Sequence, residues 1–166
     1  MFASCRPGKH VSVALPSLRI NDQLQHLPSI TKNVRKGGLT MAPETGSERL
    51  RRVINKWITQ DDLINGARAA MTNGYTTIKF YMMIGLPTET EDDIRESAAL
   101  LNNIADMAGA MKRRDFTLNV TVSLFVPKSH TPFQWEPMAD RETLQRHAAL
   151  LRSLVKHRSI RLKVHD

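Results

Sequence analysis

Cysteine is nearly absent from this sequence: Cys5 stands alone among 166 residues. The chain can therefore close no internal disulfide, and a lone thiol fits a reducing compartment, so we expect a cytoplasmic protein. Aromatic residues are scarce as well, at 5%, leaving little material for stacking single-stranded RNA or DNA bases. No apolar run approaches the roughly 20 residues that cross a bilayer, so no membrane partner is expected. Met1 to His10 carries Arg6, Lys9 and His10 with no apolar stretch behind them, which argues against a secretory leader. No spacing matches a zinc site, a phosphate-binding P-loop or a nucleophile elbow. Low-complexity linkers are missing too.

What remains is the composition of one ordinary globular domain, 41% hydrophobic and 24% charged. The net charge of +8 raises the question of nucleic acid. Its distribution does not favour that partner. Arg49, Arg51 and Arg52 fall in one expected helix; Lys112-Arg113-Arg114 close a second, and Arg152, Lys156, His157 and Arg158 a third. Cations at helix carboxyl ends complement the dipole, and charged helix faces are ordinarily solvated.

The chain alternates strands and helices. Val11 to Leu15 is a short β-branched run ended by Pro16, and Asn21 to Arg35 is mixed and interrupted by Pro28. Leu39 to Ala42 reads as a strand. Ser47 to Trp57 places Leu50, Val53, Ile54 and Trp57 on one helical face, with Ser47 as the cap. A second helix is expected over Thr59 to Asn73, opened by Thr59 with Asp62 and stopped by Gly74. Thr76 to Ile84 is the clearest strand, and its continuous apolar end predicts burial on both faces. Thr90 to Met111 is a long helix capped by Thr90 with Asp93 three residues on. Phe116 to Val126 is a strand, Asp140 to His157 a helix, and Ile160 to His165 the start of a further strand. Such alternation predicts an α/β fold, either a doubly wound sheet or a partial (β/α) barrel.

In either architecture ligands sit at the carboxyl ends of the strands. Three polar loops follow strands there: Pro-Glu-Thr-Gly-Ser after Ala42, Gly-Leu-Pro-Thr-Glu after Ile84, and Pro-Lys-Ser-His-Thr-Pro after Val126. Glu44 offers a carboxylate to hydroxyls or an amine, Ser47 a hydroxyl, and Gly85 a place where a ligand can approach the backbone. The plainer alternative is that Glu44, Ser47, Glu89 and Thr90 only organise helix starts. Lys128 and His130 form a candidate acid–base pair, against the ordinary reading of surface residues. Met82 and Met83 are most simply core.

Four segments, in order, resemble the radical S-adenosylmethionine enzymes: Leu15-Pro-Ser-Leu-Arg19, Gly38-Leu-Thr-Met-Ala-Pro-Glu-Thr-Gly-Ser-Glu-Arg-Leu50, Phe80-Tyr-Met-Met-Ile-Gly-Leu-Pro-Thr-Glu-Thr90 and Phe125-Val-Pro-Lys-Ser-His-Thr-Pro-Phe-Gln-Trp135. The resemblance is to a largely uncharacterised bacterial subgroup, whose members often carry a cobalamin-binding-like region before the radical domain. It implies a partial barrel of six strand–helix units, with Val11 to Leu15, Leu39 to Ala42, Thr76 to Ile84 and Phe116 to Val126 as strands three to six. It further implies that Glu44 and Ser47 meet the ribose or amino group of S-adenosylmethionine and that Lys56 holds its carboxylate. Ile84, Gly85 and Pro87 would pack against the adenine.

The family's chemistry needs three cysteines spaced C-x-x-x-C-x-x-C to hold a 4Fe–4S cluster. Cys5 cannot supply that site. By resemblance, residues 1–166 are a single radical domain cut at both ends, lacking its first two strands, with the missing amino-terminal half as the expected partner. A gene fragment, a split subunit and a degenerate binding copy all fit, the first most economically. The rival function is a non-catalytic RNA-binding or assembly module on the same fold.

Overall fold

The computed structural model describes residues 38–165. Cys5, the Val11 to Leu15 strand, the Leu15–Arg19 motif and the Asn21 to Arg35 segment lie outside them. Four strands and four helices alternate: β1 (Leu39–Glu44), α1 (Glu48–Val53), α2 (Gln60–Thr72), β2 (Thr77–Ile84), α3 (Glu91–Ala110), β3 (Thr117–Leu124), α4 (Arg141–Leu154) and β4 (Ile160–Val164). All neighbouring strands pair in parallel, in the order β1-β2-β3-β4. Parallel neighbours require helical crossovers, which α3 and α4 supply after β2 and β3. β4 adds a parallel strand beyond Phe116 to Val126.

Period-two alternation sorts the strand residues into two faces. Met41, Ile78, Phe80, Met82, Leu118, Val120 and Val122 are buried with Leu63, Ala67, Leu101, Ile104, Ala148 and Leu151 from the helices. On the other face Lys79, Tyr81, Ser123, Arg161 and Lys163 are exposed. A doubly wound sheet carries helices on both faces, whereas a barrel stacks them all outside. Strands in sequential order with one helical layer make this a segment of a (β/α) barrel.

Tertiary packing moves four details of the sequence reading. Among the described residues β2 is covered on one face only: Tyr81 is 46% exposed on the barrel's inner side. Helix α1 stops at Val53 because Asn55 takes a left-handed φ of 57°, a conformation asparagine tolerates better than most residues. Trp57, expected on the inward stripe, is therefore 70% exposed. The basic triplet after α3 lies past the helix end: Met111 caps, Lys112 turns at a φ of 56°, and Arg113 reaches the carbonyls of Met71 and Tyr75 at the end of α2. Arg51, read as solvated, is fully buried.

Candidate functional site

The parallel strands bring the loops after β1, β2 and β3 to one end of the sheet. The first is shaped by Pro43, which has no amide to give the ladder. The β1–β2 register slips between Met41 and Glu44, and Glu44 follows at a φ of 68°. Gly46 then passes so close to α3 that a Cβ there would stand 2.3 Å from the Ser97 Cα. Only glycine fits. Its amide donates to Ser97 Oγ at 2.9 Å, and that hydroxyl donates to the Asp93 carbonyl.

Asp93, in the first turn of α3, ties the first two loops together. Its carboxylate accepts from Ser47 Oγ (2.6 Å), from the Thr90 amide and hydroxyl (2.8 Å each), and from Arg49 Nε (3.2 Å) and Nη2 (2.5 Å). Burial pushes the carboxyl up, but the Arg49, Ser47 and Thr90 hydrogen bonds outweigh it and hold the pKa at about 2. Arg49 Nη2 also donates to the Thr88 carbonyl at 2.8 Å. Behind the loop, Arg51 donates to the carbonyls of Thr45 (2.9 Å) and Ile58 (2.7 Å). Those bonds draw the segment after α1 back toward β1, and with it Lys56.

The result is an ion pair between Glu44 Oε1 and Lys56 Nζ at 2.8 Å, each side chain about a quarter exposed (26% and 28%). Sequence reasoning assigned these two residues separate roles, and the structure brings them together. Ser47 sits differently. It is fully buried, caps α1 by accepting from the Leu50 amide at 3.4 Å, and donates its hydroxyl proton to Asp93.

Gly85 makes the second loop, at a φ of 81°, where a Cβ would stand 2.6 Å from Leu144 Cδ2. Its amide donates to Glu89 Oε1 at 2.7 Å, and the same oxygen meets His147 Nδ1 of α4 at 2.7 Å. Both side chains of that pair are buried, at 2% and 4% exposure. Burial pushes the Glu89 carboxyl up, against the Gly85 amide and His147, which pull it down. Ile84 packs its side chain into the helix-facing core, and its carbonyl accepts from the Phe125 amide at 2.8 Å. The apolar groups beyond the helical layer at this end are Met83, Leu86, Phe125 and Phe133, packed with Leu50 and Ile54. Pro87 is half-buried. In the third loop Lys128 and His130 are both exposed.

Sequence reasoning missed two features. Glu89–His147 was signalled by a histidine between Leu144, Ala148 and Leu151 on the apolar face of α4. The buried Arg51 carried no such signal beyond its place beside Leu50. Among the described residues, no group of three or more histidine, cysteine, aspartate or glutamate side chains could hold a metal ion. The described residues therefore offer no ligand set for an iron–sulfur cluster.

A parallel sheet with one helical layer and a charged, glycine-shaped rim of strand-end loops defines a β/α-barrel type of domain. The chain belongs to the radical SAM superfamily, whose family model matches residues 2–101. It is 35% identical over 132 residues to an uncharacterized protein of Methanocaldococcus jannaschii, an alignment covering 78% of this chain and 26% of that relative. The chain thus spans 26% of the length of the curated relative it matches. Family membership implies S-adenosylmethionine and, typically, a 4Fe–4S cluster. No helix among the described residues is long and apolar enough to cross a membrane.

Proposed function

We propose that this chain supplies S-adenosylmethionine-binding loops to a radical enzyme whose cluster cysteines stand in sequence outside it, and that the chain alone is inactive. The observation that carries this reading is the Glu44–Lys56 pair at the carboxyl end of β1. Free S-adenosylmethionine carries an ammonium and a carboxylate on one α-carbon. A carboxylate and an ammonium 2.8 Å apart form the complementary pair: Glu44 receives the ligand's ammonium or a ribose hydroxyl, and Lys56 its carboxylate. Gly85 and Pro87 present a backbone surface to the adenine, with Met83, which packs against the Leu50, Leu86 and Phe125 cluster, as an apolar side chain on the same strand end. Ile84 contributes through its backbone, and Ser47 acts indirectly by fixing the loop that bears Glu44.

Beside a reduced cluster held by residues outside this chain, S-adenosylmethionine would take one electron and break its sulfonium–C5′ bond into methionine and a 5′-deoxyadenosyl radical. The residues of this chain bind and orient the cofactor. The test is thermal unfolding of the 166-residue chain with added S-adenosylmethionine. At 100 times its dissociation constant the ligand stabilises by about 2.7 kcal/mol, and Glu44→Ala should abolish that shift. A cooperative melt with no shift in the wild type would overturn the reading. RNA binding that falls steeply with salt and ignores S-adenosylmethionine would favour the rival RNA module.

A further inference from the structure

On the face of the sheet that no described helix covers, hydrogen-bond donors line up in register. Parallel register aligns Lys79 of β2 with Asn119 of β3 and Arg161 of β4, and one layer up Tyr81 with Thr121 and Lys163. All six side chains share the face opposite the helical layer, and every one can donate a hydrogen bond. Neither an ion pair nor a side-chain hydrogen bond to another described residue occupies any of them. Glu44, the one carboxylate of the described strands, is already held by Lys56.

Solubility alone does not explain this pattern. Lysine on an edge strand deters strand addition, but Lys79, Tyr81, Asn119 and Thr121 lie on the two central strands. An apolar layer packed on this face would strand all six donors. Strands stand about 4.8 Å apart and alternate residues about 7 Å apart, so the six positions span roughly 10 by 7 Å of the sheet.

The geometry points to this inner face as the binding site of a phosphorylated small-molecule substrate. The inference rests on the proposed S-adenosylmethionine site at the same sheet's carboxyl end, since that site makes the inner face the reaction chamber. Arg161 and Lys163 supply charge from one strand, while Asn119, Thr121 and Tyr81 fix orientation.

Isothermal titration with inorganic pyrophosphate at constant ionic strength tests it. The triple variant Lys79→Gln, Arg161→Gln, Lys163→Gln should weaken binding by about tenfold or more, since hydrogen bonds to charged groups are individually worth that much. A control triple on exposed positions elsewhere (Arg68→Gln, Arg114→Gln, Arg158→Gln) removes the same charge and should leave binding within about twofold, as distant screened charges do. Equal losses in the two triples, or no wild-type binding above that of chloride, would overturn the proposal. A short single-stranded RNA that outcompetes pyrophosphate and weakens equally in both triples would also overturn it. The inner-face triple should keep its S-adenosylmethionine shift. If the wild type lacks that shift while pyrophosphate binding remains site-specific, the cofactor reading fails and the anion site stands.

Discussion

Replacing Asp93 by asparagine should separate the first two strand-end loops. Five hydrogen bonds end on this carboxylate, from Ser47, Thr90 and Arg49, and an asparagine amide would point donors at donors. Asp93 is 3% exposed, whereas Arg49 is 50% exposed and can return to water. The expected loss at pH 7 is therefore about 3 kcal/mol, at the low end for a broken buried pair. Part of that loss depends on pH. The distance from an ordinary 3.8 to about 2, at ~1.4 kcal/mol per pH unit, is ~2.5 kcal/mol, most of it lost by pH 2. A lowered carboxyl contributes this stability above its unfolded pKa and loses it as pH falls through the folded one. Urea unfolding of wild type and Asp93→Asn should thus show the gap at pH 7 and 5, and its closure by ~2 kcal/mol between pH 4 and 2. Midpoints that coincide at pH 7 would refute the network. A gap that stays constant down to pH 2 would refute its ionic character.

Gly46→Ala drives a Cβ to 2.3 Å from the Ser97 Cα, which α3 cannot yield. We expect it to cost about 2–3 kcal/mol by chemical denaturation, and a loss under 0.5 kcal/mol would sink the close-approach argument. Glu89→Gln keeps an acceptor for the Gly85 amide and discards a charge that burial disfavours. A carboxyl raised above its usual 4.5 contributes stability below that pH and loses it as pH rises. Melting temperatures should therefore shift in the variant's favour from pH 4 to 7, and a difference independent of pH would count against the assignment.

Sequence alone determined the alternation of elements, because strand and helix periodicity and their caps are local properties. Thr59 with Asp62 does form a capping box, and Ser47 does cap α1. It also placed the polar loops at strand ends, where parallel alternation requires them. Element periodicity left a barrel segment and a doubly wound sheet open, because the apolar run Phe80 to Ile84 reads alike in both. The motif resemblance chose the barrel, and the single helical layer of the described residues agrees with it. Two things were decided only by the tertiary structure. The meeting of Glu44 with Lys56 depends on the turn at Asn55 and on Arg51 gripping two carbonyls, contacts set by a buried cation that a charge count treats as solvated. The Asp93 and Glu89 clusters join residues 44 and 58 positions apart. Such pairs leave no periodic trace in the sequence, because only the packing of α1 and α4 about the strand ends brings them within hydrogen-bonding distance.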